Sequence, residues 1–541
     1  MIDVKKLIGQ GDQLFQNRST LMLLWQDIAE NFYPERADFT VKREIGDDYA
    51  GNLTTSYPLL VRRELGDSIS SMLRPRGQEW FSISIDDDER LDNSGKEWLQ
   101  WATGVQKRAM YDRLSQFVRA TKEGDHDFAA FGQPVLTVEI DWKTTSLLFR
   151  CWHLRDVAWC EKYNGTIGDI HRNWCPDVRT LHAIFGADKL HANVTKQLDK
   201  TPYNTIKCRH IVIPADQYEG DKKYRTPYVS IYIDIENNHL ISEVASWSQI
   251  YCIPRWQTVS GSQYAYSPAA VAGLPDARLL QAMTLTLLEA GEMAVRPPLI
   301  ATKEALRSDI AVYAGGITWV DAQYDERLGE VLRPITQDKS VLPFGLEVSE
   351  EKKQMLQQAF YLNKLSLPPA DREMTAYETS QRIQEYIRNA LPLFEPMETE
   401  YNGALCEMTF DSLMRVGAFG PVEEFPRSLR GEDVRFKFES PLHQAIERQK
   451  GQKFLEAKGL LREAAEIDPA AVATVDARVA LRDALSGIGI DAKWMRSEEK
   501  VEAQAQKMQQ QQEAQQAMDM ATQGADMAAT AGKAEQSLAA A

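Results

Sequence analysis

Cys151, His153, Cys160, His171 and Cys175 lie within one stretch and between them could hold a zinc ion. Fingers and ribbons, however, take their zinc ligands in pairs at short regular gaps. The gaps here are irregular and no Cys-x-x-Cys pair occurs, so buried free thiols are the expected state. The acidic run Asp86-Asp87-Asp88-Glu89 could ligate a divalent cation, but it lacks the glycine and the spaced glutamate of an EF-hand loop and reads as a solvated turn. His126, between Asp125 and Asp127, reads as a surface or hydrogen-bonded histidine rather than a catalyst. Glu350-Glu351 and Glu423-Glu424 are sequence neighbours, so on a helix their side chains diverge and cannot share acid–base work. There is no Walker A loop, H-E-x-x-H, G-x-S-x-G or dinucleotide fingerprint. The expectation is a non-enzymatic protein with no catalytic residue, no metal and no cofactor.

Composition narrows the classes further. With 541 residues, 43% of them hydrophobic, the chain has apolar mass for several cores rather than one domain of roughly 100–200 residues. The six cysteines are too sparse for a disulfide scaffold. The best apolar stretch, Met283 to Leu288, contains two Thr and falls far short of the ~20 residues of a membrane span, and no apolar signal core follows Lys5-Lys6. Folding in a reducing cytoplasm, away from membranes, is expected. The formal net charge is −16 and no Lys/Arg stripe is visible, which argues against tight, static binding to phosphates. A surface past which DNA must slide is compatible with that charge, because like charge prevents sticking.

The elements follow from periodicity. Leu7, Leu14, Leu21, Leu24, Trp25, Ile28 and Phe32 predict one amphipathic helix over 7–33, ended by Pro34. A second helix is predicted over 59–73, before Pro75, and helical structure over 94–131. Trp80 to Ile85 alternates like a strand, and residues 134–253 read as β-rich, with a short helix over 178–186. Asp276 to Val295 reads as helix up to Pro297-Pro298. Gly315-Gly316 between two short apolar runs signals a hairpin. Helix is predicted again over 349–365, then, after Pro368-Pro369, from Thr375 towards Val416, bent near Pro392 and Pro396. Short helices are expected over 441–500. The Gln/Ala/Met-rich residues 501–541 have too few large apolar side chains to bury much surface alone, and read as a fraying helix or a tail.

Several stretches, in this order and spacing, resemble the portal (head-to-tail connector) family of short-tailed bacteriophages. Tyr264-Ala265-Tyr266-Ser267-Pro268 followed by Leu274-Pro275-Asp276 is similar to the family's Tyr-Gly-x-Ser-Pro segment and the Leu-Pro-Asp turn into its stem helix, which closes on a Pro-Pro pair as at Pro297-Pro298. Leu73-Arg74-Pro75-Arg76-Gly77-Gln78-Glu79-Trp80-Phe81 resembles the lead-in to a wing strand, and Thr375-Ala376-Tyr377-Glu378 the start of the long helix after the tunnel loop. Two departures stand out. Ala265 replaces the usual glycine, which implies an altered turn, and Gln281 stands where the family often has Asn, which implies a different stem contact.

The resemblance covers roughly residues 1–440 and implies an α+β portal fold: α/β wing, helical stem, small β-containing clip and helical C-terminal crown. On this chain the wing falls at 1–266, a stem helix at 267–296, the clip at 297–345, a second stem helix at 346–365, the tunnel loop at 366–374, a long helix returning to the wing at 375–440, the crown at 441–500 and the tail at 501–541. It implies a dodecameric ring at one capsid vertex, assembled in the host cytoplasm and carried in the virion. The implied partners are the major capsid and scaffolding proteins, the terminase large subunit during packaging, tail adaptor and nozzle proteins afterwards, internal core proteins, and double-stranded DNA in the channel. It further implies Lys364 and Arg372 as channel-facing cations, with pairing of Arg372 to Asp371 or Glu373 as the alternative. Gly315, Gly316 and Trp319 become docking residues of the clip. The rival readings are another phage ring or tail protein, such as an adaptor, against which chain length argues; an enzyme with a divergent metal site; and an unrelated helical scaffold.

Overall fold

The structure, a computed structural model, describes residues 3–295 apart from 45, 87–90, 142 and 221–222, then 299–301, 319, 332–334, 341–365, 392, 397–438, 454–464, 475–487, 494 and scattered positions between 501 and 515. It divides into two units, one made of Met1–Gln78 with Arg108–Val416, the other of Glu79–Lys107 with Gly417–Ala541. Helices and strands occur in both, in agreement with the α+β class.

The first unit begins with α1 (Val4–Asn17) and α2 (Ser19–Phe32). The single helix predicted over 7–33 breaks at Arg18. The reason is the Arg18 side chain, which is buried and donates to the carbonyls of Leu154 (2.7 Å), Val157 (2.6 Å) and Arg155 (2.5 Å). A guanidinium that satisfies three carbonyls of the Leu154–Val157 turn fixes the corner, and apolar periodicity carries no trace of it. Next come α3 (Tyr57–Leu73), α4 (Asn93–Met110, mostly in the second unit) and α5 (Phe117–Phe131). The helical run expected over 94–131 is interrupted before Gln116, which takes a left-handed conformation (φ 58°).

The β-rich stretch forms two antiparallel sheets. Strands β2 (Val135–Asp141), β3 (Ser146–Trp152) and β9 (Tyr251–Cys252) make one, in the order β3-β2-β9. Strands β4 (Val157–Glu161), β5 (Ile167–Trp174), β6 (Cys208–Pro214), β7 (Tyr228–Asp234) and β8 (His239–Ser246) make the other, in sequence order. Side chains alternate between its faces. Ile211, Ile213, Val229, Ile231 and Ile233 bury against Leu7 of α1. Cys208 and Ile241 face the opposite side, beneath the predicted helix α6 (Val178–Phe185) and the unpredicted α7 (Ala192–Lys200). Burial on both faces is complete at β6, where every position from Cys208 to Pro214 is buried and Ile211 to Pro214 reads as an apolar run.

Three of the mostly buried histidines in this unit have their charged form disfavoured: His126 on α5, His171 on β5 and His210 on β6. His210 stacks on Tyr232 and bonds Tyr251 Oη (2.5 Å) and Ser230 Oγ (2.8 Å). Burial first, and then a neighbouring arginine in each case (Arg62, Arg209 and Arg172), disfavours the imidazolium. His126 is held down at about 4 and His171 at about 3, with His210 well below the usual value. An unfolded histidine protonates near 6.5, so as pH falls below that value the unfolded chain takes up protons that the folded chain refuses, and stability is lost. The expected loss is about 1.4 kcal/mol per pH unit for each such histidine, from ~6.5 down towards the folded values. Urea midpoints measured from pH 7 to 4.5 should fall steeply, and His126→Gln should flatten the slope.

One buried cluster ties distant segments of the unit together. Arg74, just past α3, makes a fully buried ion pair with Asp125 of α5. Its other amine donates to Asn402 Oδ1 (2.8 Å), and its guanidinium lies 4.6 Å from the centre of the Tyr401 ring. Tyr401 and Asn402 belong to a π-turn, Glu398–Gly403, that leads into α10 (Ala404–Val416).

In the second unit, the predicted strand at Trp80 begins one residue later, as β1 (Phe81–Ile85), with both Trp80 and Phe81 buried. It pairs antiparallel with β12 (Val434–Phe438), a strand not expected from the sequence although Val434, Phe436 and Phe438 alternate with charged residues. Asp86 pairs with Arg435, and the rest of the acidic run lies outside the described residues. Helix is present at 454–464 and Ala477–Gly487.

Candidate functional site

The five candidate zinc ligands do not converge. Cys151 points at Asp127 (3.7 Å), His153 pairs with Asp38 (2.7 Å), Cys160 accepts from Asp169 N (3.3 Å), His171 lies buried under Gly11, and Cys175 is exposed. Among the described residues no three His, Cys, Asp or Glu side chains are placed to hold a metal. Cys208, Cys252 and Cys406 are buried, and burial pushes their thiols up, so they are poor nucleophiles.

The surface that stands out lies on two packed helices, α8 (Leu274–Val295) and α9 (Val341–Ala359). The Tyr-Ala-Tyr-Ser-Pro block positions α8. Ala265 donates to Gln133 Oε1 (2.8 Å), Tyr266 donates to Gln257 O (2.9 Å), and the buried Ser267 accepts from Ala270 N through its hydroxyl (3.1 Å). Ala265 itself has no positive φ; the left-handed residue at this junction is Gly132 on the facing segment. Pro268 leads into a π-turn, Ala269–Gly273, that runs into the helix. Pro275 is the second residue of α8, which follows directly on that turn. Asp276 pairs with Lys352 of α9 (3.3 Å). The helix α9 begins at Val341, ahead of the expected Ser349. It crosses α8 closely at Gly345, where a Cβ would lie 2.8 Å from Leu287.

Only one stripe of α8 is buried: Leu274, Ala277 and Leu280. Leu279, Leu285 (47% exposed), Leu288 (57%) and Met293 face outward, as do Phe344 (65%) and Leu346 (60%) on α9. A row of large apolar side chains on two neighbouring helices marks an interaction surface.

In the sequence Gln281 stands out only as a departure from the family's pattern. Its side-chain oxygen accepts from Thr54 N (2.8 Å) and Thr55 N (2.9 Å), and its amide donates to Thr55 O (3.0 Å). The contact is with a segment from far upstream, which the sequence could not have announced.

Past α9 the helix ends at Tyr361, in a left-handed conformation (φ 58°), with Phe360 packed on Phe32. A single turn, Leu362–Leu365, follows, and Lys364 is exposed with its ammonium 5.7 Å from the centre of the Tyr361 ring. Arg372, Thr375, Glu378, Gly315, Gly316, Pro297 and Pro298 lie outside the described residues. Trp319 is exposed, and the flanks of that region pair as β10 (Leu299–Ala301) and β11 (Leu332–Pro334).

Comparison with known proteins bears on what this surface serves. The chain is 25% identical to the "Probable portal protein" of Bordetella phage BPP-1 over 451 residues, 82% of this chain and 79% of that protein. It is 21% identical to the portal protein of Salmonella phage epsilon15 over 519 residues, 92% and 90% of the two chains. Among solved structures it is similar to a chain in the neck of an empty GTA particle computed with C6 symmetry (TM-score 0.37, 12% identity, 75% of this chain and 87% of that one). The description "Bacteriophage head to tail connecting protein" matches residues 4–495, so that a chain whose motifs, helix pair and outward apolar row all run within that span belongs to the bacteriophage head-to-tail connector family.

Proposed function

We propose that copies of this chain close into a dodecameric ring at one capsid vertex, with the outward apolar rows of α8 and α9 covered by neighbouring copies. The chain is a portal subunit, a component of the phage particle that connects head and tail. Beyond that, our reading assigns it passage of double-stranded DNA during packaging and ejection. It further assigns docking of the terminase large subunit during filling and of tail adaptor and nozzle proteins later. Contact with capsid, scaffolding and internal core proteins, and assembly in the host cytoplasm, complete the proposal. Within it, Gly315, Gly316 and Trp319 are docking residues, and Lys364 and Arg372 are the channel cations. The net charge of −16 supports a wall that DNA passes without sticking.

The observation that carries the ring is the exposure of Leu285, Leu288, Phe344 and Leu346. Covering the exposed half of each such side chain is worth on the order of 1 kcal/mol, and several together lead a monomer to associate. Sedimentation velocity and negative-stain images of the purified protein should show closed rings with a central hole. Leu285→Glu combined with Leu288→Glu should leave monomers at concentrations where the wild type is fully assembled. Rings that survive the double substitution would remove these helices from the interface.

A further inference from the structure

Between α2 and α3 the described residues from Ala37 to Ser56 form neither helix nor strand. Loops longer than ~12–15 residues are uncommon in compact domains and usually serve a function. This one has rigid roots. At its start, Gln26 of α2 accepts from Phe39 N (2.9 Å) and Thr40 N (3.2 Å) and donates to Ala37 O (3.0 Å). Arg155 donates to both Asp38 O (3.1 Å) and Asp38 Oδ2 (2.6 Å). At its end, Gln281 of α8 grips Thr54 and Thr55 in the same manner, one amide oxygen on two consecutive N–H groups.

The middle is different. The described residues among 41–53 hydrogen-bond to one another: Glu44 N to Asp47 Oδ2 (2.8 Å), Tyr49 Oη to Glu44 O (3.2 Å), Ala50 N to Asp48 Oδ1 (3.1 Å) and Leu53 N to Ala50 O (2.9 Å). Arg43 and Tyr49 stack on each other (5.3 Å), while Val41, Lys42, Glu44 and Gly46 to Asp48 are exposed. A Cβ on Gly46 would meet nothing within 4 Å. Two glutamine clamps thus display an arm that is anchored at both ends and covered by nothing in its own chain among the described residues.

We propose that this arm, Thr40–Asn52, docks on the adjacent copy of the chain in the ring; the inference rests on the ring reading above. A second copy is the occupant because of where the arm is rooted. Gln281 shares a helix face with Leu285 and Leu288, four and seven residues on, and both are exposed. The arm therefore leaves α8 at the margin of the surface that a neighbouring copy covers. Its charges are of both signs (Lys42, Arg43, Glu44, Asp47, Asp48), with Val41 exposed among them. That mixture suits the polar rim of a protein–protein interface and not a phosphate backbone.

The test uses the full chain. A photo-crosslinking residue is placed at Val41, and rings are assembled from mixed light and heavy-isotope protein. The expected crosslinks join light to heavy copies. In parallel, residues 41–52 are replaced by a short Gly-Ser linker, and Gln281→Ala is made separately. Both variants should keep the wild-type monomer circular dichroism and should raise the concentration for half-assembly at least about tenfold, equivalent to about 1.4 kcal/mol. Crosslinks confined to one copy, or a linker variant that assembles at the wild-type concentration, would overturn the arm while leaving the ring intact. Failure of the wild type to form rings would overturn the ring reading, and the arm with it, before any variant is made.

Discussion

Arg74→Leu is expected to lower stability by about 3–5 kcal/mol, enough to leave much of the protein unfolded or aggregated on expression. The argument rests on what the substitution leaves behind. Arg74 and Asp125 are both fully buried, and Asp125 lies under α3 and the Glu398–Gly403 turn. Burial pushes the Asp125 carboxyl up and the Arg74 guanidinium pulls it back. Without Arg74 the carboxyl either stays charged in an apolar site or takes a proton, and each costs free energy. Asn402 Oδ1 and the face of Tyr401 lose their cation at the same time. The double variant Arg74→Leu with Asp125→Leu removes both charges and should recover much of the loss, because a buried pair replaced by packed apolar groups is often neutral. Urea unfolding of wild type, single and double variants measures this directly. A single variant within ~1 kcal/mol of wild type would show that water reaches Asp125 and that the cluster is not a closure between α3, α5 and the π-turn.

The same cluster shows where sequence reasoning stops. Arg74 lies inside the Leu73-to-Phe81 stretch that carried part of the family resemblance, yet its partners are at 125, 401 and 402, and nothing in a linear pattern links them. What was legible was short-range. Apolar periodicity located α3, because one buried face imposes its period on the sequence, and residues 134–253 were legible as β-rich without every strand being individually placed. The start of α8 was legible from Leu274-Pro275-Asp276, part of the family resemblance. The break at Arg18 and the Gln26 and Gln281 clamps were not, since each is a polar side chain satisfying backbone groups far away in sequence. The strand Val434–Phe438 was missed for another reason. Its alternation is clear, but it stands alone among helical signals and finds its partner, Phe81–Ile85, at the other end of the second unit's sequence. The outward apolar row on α8 was visible as leucines but not as a surface, because a buried and an exposed leucine read alike until the second helix is in place.

Gly132→Ala is expected to be among the most damaging of all single-methyl additions to this chain, with a loss of about 3 kcal/mol or more and insoluble expression as the visible outcome. Two independent effects add. Gly132 caps α5 at φ 77°, a left-handed conformation that costs an L-residue about 1–2 kcal/mol. A Cβ there would also lie 2.7 Å from Tyr266 C, 2.9 Å from Tyr266 O and 2.7 Å from Ser267 N. These are backbone atoms, so no side-chain rotation can relieve the contact. The backbone that would have to move is the Tyr266-Ser267 link, which is held on both sides by Tyr266 N to Gln257 O (2.9 Å) and by the Ser267 hydroxyl at the start of the π-turn leading into α8. Displacing it shifts the origin of the helix that carries Leu285 and Leu288, so any protein that does fold should also assemble poorly. Gly46→Ala is the control: its φ is also positive (100°), but it meets nothing within 4 Å, so it should show the conformational cost alone. Urea midpoints for the two variants separate the contributions, and sedimentation of soluble Gly132→Ala protein tests its assembly. Equal losses at Gly132 and Gly46 would mean that the close approach of α5 to the Ser-Pro segment relaxes freely and does not position the stem of the helix pair.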